Sequence, residues 1–194
     1  SEFGNQPMLL DTANGLFSMV FNGEVYNYLE IRSELIKLGY NFTTNTDSEV
    51  VLTAYAAWGD SFLSKLNGMF SIAIYNSQKD ELFLARDRLG IKPLYYSLTS
   101  DGIVFSSEIK ALHKLQHENQ EIDVSLIHQY MDYGYSSGEE TLDKNIKRLL
   151  PGHSLKVCKS GVEFDKYWEV NFSNQSNKSL REYKEEFLEI FGNS

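Results

Sequence analysis

Asn22, Gly23 and Glu24 stand in a row directly behind an apolar run, LFSMVF, at residues 16–21. At the end of a strand, an asparagine carboxamide and the main-chain N–H of the next glycine can point to one spot. Two converging donors are what the oxyanion of a tetrahedral acyl-transfer intermediate requires. A glycine at 23 would admit a substrate closely and tolerate a backbone angle closed to other residues. Glu24 beside it, and Asp47 ahead of a later helix, add carboxylates suited to a substrate ammonium. A plain Asn-Gly turn with a capping acid would explain the same residues without any chemistry. Residue types leave both open.

The other reactive side chains are weaker candidates. His113 and His117 are four apart, which on a helix puts both rings on one side. No thiol or carboxylate stands at a spacing that would complete a zinc shell, so no metal site is expected. Gln116 and Asn119 beside them fit a solvated helix end. His128 and His153 stand singly and read as structural or surface residues. Cys158, the one cysteine, lies in the run LKVCK with no neighbouring histidine and reads as a small strand residue, not a nucleophile. Glu139 and Glu140 are expected to diverge on a solvated acidic turn. Neither GxxxxGK[ST] nor GxGxxG occurs, so the usual nucleotide-binding loops are absent from the sequence.

The elements that must carry these residues alternate. LFSMVF reads as a buried strand, and the first strand-like run begins at Leu16. NYLEIRSELIKLG reads as a helix with Leu29, Leu35, Ile36 and Leu38 inward and Gly39 at its C-terminal cap. YNFTT reads as a short strand. Thr46 and Glu49 then form a capping-box signature ahead of the helix VVLTAYAAW. GMFSIAIYN and ELFLARD pair as a hairpin through SQKD; PLYYSLTSDGIVFSSE forms a second, turning at Asp101-Gly102. EIKALHKL and VSLIHQYMDYG read as helices, the latter capped by Asp123. HSLKVCKSGVEFDKYWEV closes with a third hairpin turning at Ser160-Gly161. Hairpins imply antiparallel pairing, hence an α+β or layered αββα fold.

Composition sets limits on all of this. A chain of 194 residues, 42% hydrophobic and 13% aromatic, can bury a real core and suits one domain or one with an appendage. A net charge of −9, spread along the chain, argues against nucleic acid or an anionic membrane as partner. A single cysteine excludes an internal disulfide and agrees with a reducing, cytoplasmic setting. No apolar stretch is long enough to span a bilayer. Ser1-Glu2-Phe3 reads as a cloning remnant, and residues 4–170 as one domain. Residues 171–179, NFSNQSNKS, read as a linker. Residues 180–194 read as a helix opening a further domain, with Leu180, Tyr183, Phe187 and Phe191 on one face behind a Ser179–Glu182 capping box. A helix docked on its own domain is the alternative.

The chain resembles the glutaminase (class II glutamine amidotransferase) domain of glutamine-hydrolysing asparagine synthases. The likeness runs from GNQPM at residues 4–8 through FNGEVYNYLEIR, TDSEVVL, LNGMFSIAIYN, LARDRLGIKPLYY, VFSSEIKAL and LLPGHSL to KYWEV. It implies an N-terminal-nucleophile hydrolase sandwich, two antiparallel sheets between helix layers, here truncated at its N-terminus. It also implies glutamine as substrate, with Asn22 and Gly23 forming the oxyanion hole and Glu24 and Asp47 holding the glutamine α-amino end. In such enzymes an N-terminal cysteine attacks the side-chain amide of glutamine and leaves glutamate and ammonia. No such nucleophile stands in this chain, which is therefore expected to be inactive as given.

The parent implied is a ligase of asparagine biosynthesis. Its synthetase domain, with ATP and Mg2+ as cofactors, would pass the ammonia to activated aspartate. The glutaminase domain itself needs no cofactor. Missing first strands would leave an unpaired sheet edge and favour self-association into a homo-oligomer. Two further readings stay open: a non-catalytic binding module of the same fold, and the amidotransferase of another synthase with a different acceptor.

Overall fold

The computed structural model describes residues 5–100, 102–115, 121–173 and 178–192. In chain order the elements are β1 (Met8–Thr12), β2 (Gly15–Val25), α1 (Tyr28–Lys37), α2 (Asp47–Trp58), a 3-10 turn (Gly59–Lys65), β3 (Gly68–Asn76), β4 (Glu81–Arg86), β5 (Tyr95–Thr99), β6 (Gly102–Ser106), α3 (Ile109–Leu115), α4 (Ser125–Tyr133), β7 (Lys147–Arg148), β8 (His153–Cys158), β9 (Gly161–Lys166) and α5 (Leu180–Gly192). One sheet has six strands in the order β1-β2-β3-β4-β8-β9 and the other three in the order β6-β5-β7. All of these pairings are antiparallel.

The period-two alternation of a strand deals side chains to two cores. From β3 and β4, Ile72, Ile74, Phe83 and Ala85 face a helix-side core shared with Ile31 and Leu35 of α1 and Val50, Val51 and Ala54 of α2. Ala73 and Leu84, between them in sequence, face the small sheet and pack with Leu94, Tyr96, Leu149 and Leu155. Burial on both faces explains why these strands read as continuous apolar runs. Helices α1 and α2 cover one face of the large sheet, the small sheet covers the other, and α3 packs on β5 and β6. The α+β, two-sheet architecture is the expected one.

Several local expectations need correction. A first strand, β1, precedes Leu16 and pairs with β2 from Met8↔Met19 to Thr12↔Gly15. YNFTT is no strand: it is irregular, and its Thr43 and Thr44 N–H groups and hydroxyls all donate to the Glu49 carboxylate at 2.6–2.9 Å. The capping box is accordingly half-made, because Thr46 Oγ1 accepts the Glu49 N–H at 3.3 Å while the Glu49 carboxylate reaches further back. In α1 the buried residues are Ile31 and Leu35, whereas Leu29, Ile36 and Leu38 are exposed. Helix α4 starts one residue later than expected, so Val124 and not Asp123 is its N-cap, while Asp123 Oδ1 takes the Ser125 N–H at 3.0 Å from just outside. The third hairpin turns at Lys159-Ser160, since Cys158 already faces Gly161. The second hairpin forms with Thr99 opposite Gly102; Asp101 lies outside the described residues.

Arg86 and Asp87 close the loop between β4 and β5. The guanidinium donates to the carbonyls of Lys92 (2.7 Å), Leu149 (2.8 Å) and Gly90 (2.6 Å). The buried Asp87 carboxylate accepts the N–H groups of Phe70, Leu89, Ile91 and Lys92. The Asp87 carbonyl accepts those of Gly90 and Gly152. Gly152 has no alternative: φ is +69°, and an added Cβ would sit 2.4 Å from the Trp168 carbonyl.

Candidate active site

Asn22, Gly23 and Glu24 lie inside β2, opposite Ser71, Phe70 and Met69 of β3. They do not form a turn. In an antiparallel ladder, successive residues send their N–H and C=O groups to opposite edges. Phe70 gives its N–H to the Asp87 carboxylate and takes the Asp87 N–H on its carbonyl, so Gly23, facing it, turns its own N–H to the far edge. The Phe21, Gly23 and Val25 amides therefore share the edge that β1 leaves uncovered once it stops opposite Met19.

That edge is completed by side chains. Gln6 acts as one more rung: its Nε2 donates to the Phe21 carbonyl at 2.7 Å and its Oε1 accepts the Phe21 N–H at 2.8 Å. Asp47, in the first turn of α2, accepts the Val25 N–H on Oδ2 at 3.0 Å. Between these two satisfied amides the Gly23 N–H has no partner among the described residues. The glycine itself is required by β3, since a Cβ at 23 would lie 2.2 Å from the Met69 carbonyl. Its φ is not in the left-handed region, so close strand packing and not an unusual angle selects glycine here.

Gly23, Glu24 and Asp47 line one pocket of about 550 Å³, together with Val25, Tyr26, Tyr28, Asn45 and Thr46. Asn22 lines the cavity next door, about 300 Å³ between the two sheets, with Gln6, Ser71, Leu94, Phe105 and Ser107 among its walls. The Asn22 carboxamide donates to Ser107 Oγ at 3.3 Å, a long bond at an exposed position. Three of the four residues singled out by type are thus brought together, and the fourth stands in the adjoining cavity. Glu49 stiffens the loop leading into α2. Burial pushes its carboxyl up, but the bonds from Thr43 and Thr44 outweigh that and hold it below the usual carboxylate value.

Gln6, Ser71 and Ser107 are the polar groups that sequence reasoning missed. A signal for Gln6 exists in hindsight: Pro7 has no N–H to offer, and Gln6 stands immediately before it. The remaining candidates sit elsewhere. Cys158, at the end of β8, has its Sγ 2.9 Å from Ser160 Oγ and lines neither cavity. His113 Nε2 bonds Asp143 Oδ2 at 2.8 Å, His153 Nδ1 lies 2.8 Å from the Pro151 carbonyl, and His117 lies outside the described residues. Glu139 and Glu140 do not diverge, because both reach Lys147, at 3.3 and 3.2 Å. Among the described residues no three His, Cys, Asp or Glu side chains gather as a metal shell, and no helix is long and apolar enough to cross a membrane.

Known proteins give this geometry a context. Asparagine synthetase [glutamine-hydrolyzing] 1 of Bacillus subtilis is 37% identical over 188 residues, covering 95% of this chain and 29% of its own length. Asparagine synthetase [glutamine-hydrolyzing] 3 of the same organism is 34% identical over 170 residues, covering 87% and 28%. The chain thus spans under a third of the length of either relative. Among solved structures, the glutamine phosphoribosylpyrophosphate amidotransferase of B. subtilis shares the fold, with a TM-score of 0.61 at 21% identity over 85% of this chain and 32% of that one. The family model described as the glutamine amidotransferase domain matches residues 1–168, and the chain belongs to that family.

Proposed function

We propose that this chain forms the glutamine site of an asparagine-synthetase-type enzyme. The Gly23 N–H and the Asn22 carboxamide serve as donors to the amide oxygen of glutamine as it becomes an oxyanion. Glu24 and Asp47 hold the α-ammonium. The observation that carries the reading is the open Gly23 N–H, set between the Phe21 amide bound by Gln6 and the Val25 amide bound by Asp47. A donor fixed in a strand needs no reorganisation when charge develops, which is the condition for strong transition-state stabilisation. Asn22 joins it by exchanging its 3.3 Å bond to Ser107 for one to substrate.

Attack on the amide needs a nucleophile. Among the described residues no cysteine or histidine lines either cavity, and a serine hydroxyl without a base is a poor nucleophile at neutral pH. The described residues therefore account for glutamine binding, and hydrolysis calls for a cysteine nucleophile in the parent enzyme. In that parent, ammonia passes to a synthetase domain that uses ATP and Mg2+ to activate aspartate. Leu180, Phe187 and Phe191 of α5, all exposed, belong to the contact with that domain, joined through residues 171–179.

Isotope-edited NMR of the 194-residue chain with L-glutamine tests the binding step. The expected result is shifts at the Gly23, Glu24 and Asp47 amides with no glutamate formed. Absence of these shifts at any glutamine concentration up to about 50 mM would refute the site, because affinity weaker than that is no specific recognition. A second reading, a binding module with no catalytic parent, draws on the same lack of a cysteine beside the cavities. It predicts glutamine-site shifts but a natural gene without an upstream cysteine codon.

A further inference from the structure

A polar pocket of about 490 Å³ lies at the other end of the β2–β3 pair. Asn76, on its wall, faces Phe17, five residue pairs from Asn22↔Ser71, which is about 17 Å along the strand. Asn76 is only 3% exposed. Its Oδ1 accepts the N–H groups of Gln78 (3.0 Å) and Lys79 (3.2 Å), while its Nδ2 has no partner among the described residues. A buried amide left without an acceptor is costly, and native interiors rarely leave one so. Tyr55, 6% exposed, gives its hydroxyl to Glu81 Oε1 at 3.4 Å. Burial and the charges of Glu81 and Asp60 push that phenol far above its ordinary value, so it stays a donor.

The charges here sort into a used pair and an unused one. Lys156 and Asp60 bond each other at 2.6 Å. The Lys79 ammonium makes no hydrogen bond or ion pair among the described residues, and the Glu81 carboxylate accepts only the Tyr55 hydroxyl, with the Lys156 charge near enough to feel it. A simple anion would satisfy Lys79 and leave Glu81 repelling it; a simple cation would do the reverse. One molecule carrying both signs satisfies both. The carboxyl-terminal end of α2 also reaches this pocket, and the partial negative charge of a helix end favours an ammonium there.

We infer that this pocket is a second ligand site, distinct from the Gly23 pocket, which binds a free α-amino acid. The ammonium bonds Glu81 and the carboxylate bonds Lys79 and the Asn76 Nδ2. Nothing in this depends on the glutamine reading.

The test is a titration of the isotope-labelled chain with L-alanine, L-serine and L-aspartate, each to about 50 mM. The expected result is saturable shifts of the Asn76 side-chain amide and the Gln78 and Lys79 backbone amides by at least one of the three. N-acetyl-L-alanine and L-alaninamide, each lacking one charge, should bind at least about tenfold more weakly than L-alanine. Lys79→Met and Glu81→Gln should each weaken binding about tenfold at unchanged melting temperature, since both side chains lie at the rim and the carboxamide oxygen of the second variant would still accept the Tyr55 hydroxyl. The neutral analogues decide the matter should a variant lose stability. Shifts confined to Gly23 and Glu24, no shift at Asn76 with any probe, or equal binding by the charge-deleted analogues would overturn the proposal. The glutamine site is read from different signals and stands or falls separately.

Discussion

Asp47 Oδ2 accepts the Val25 N–H at 3.0 Å and so ties the first turn of α2 to the last residue of β2. The same carboxylate lines the pocket that holds Gly23 and Glu24. Position and charge can be separated by mutation, because an asparagine oxygen still accepts the bond while losing the charge. Asp47→Asn should weaken glutamine binding about tenfold, roughly the value of one charge-assisted bond at a partly exposed site, and leave the denaturation midpoint unchanged. Calorimetric titration checks the first point and urea unfolding the second. Unaltered affinity would remove Asp47 from the substrate site.

In the proposed site Asn22 would offer a donor to the oxyanion, and its side chain is otherwise held only by the long, exposed bond to Ser107. In a full-length, cysteine-bearing parent, Asn22→Ala should lower kcat for glutamine hydrolysis by about a hundredfold or more with little change in KM. Synthesis supplied with ammonia directly should proceed at the unmutated rate. A loss confined to KM would mean that Asn22 binds ground-state glutamine instead.

Gln6 supplies both a donor and an acceptor to Phe21. Removing two part-buried neutral hydrogen bonds, at about 1 kcal/mol each, gives a loss of about 2 kcal/mol for Gln6→Ala. Hydrogen exchange should quicken at Phe21, one residue before the candidate donor pair, while amides in β8 and β9 stay protected. Uniform acceleration throughout the sheet would show a global effect and no local role.

Glu49 carries a pH signature. Burial raises its carboxyl, the Thr43 and Thr44 bonds lower it more, and the net folded value is depressed. A depressed carboxyl contributes stability that is complete above its unfolded value, near 4.5, and is lost as pH falls through the lower folded value. Glu49→Gln should therefore reduce stability at pH 7 and flatten the acid side of the stability curve below about pH 4.5. The group is largely solvated, so the loss should be modest, about 1 kcal/mol or less. Denaturation midpoints at pH 7 and at about pH 3.5, for both proteins, check the sign.

Much of the fold was legible because its strongest elements agree with their sequence at every level. GMFSIAIYN and ELFLAR are apolar through their middles, and both faces of β3 and β4 are indeed buried. The weak elements failed for identifiable reasons. No residue of β1 is buried, so MLLDT carries no strand-like contrast. YNFTT has the composition of a strand, but no partner strand meets it, and its donors are spent on Glu49. In α1 two apolar stripes compete, and only the packing of α2 decides that Ile31 and Leu35 turn inward. The same limit applies to the site. Glu24 and Asp47 could be named from their chemistry, whereas Gln6 acts through a rung fifteen residues away along the chain, which no local pattern records.

The Arg86-Asp87 pair has a mechanical consequence. Through it, Phe70 of the large sheet, the crossover into β5, and the segment carrying Leu149 and Gly152 meet at one knot. Two layers riveted at such a point cannot shear past each other without breaking several buried bonds together. Phe70, which faces Gly23 across the ladder, is part of that knot, so the floor under the candidate site is an anvil set in place before any ligand arrives.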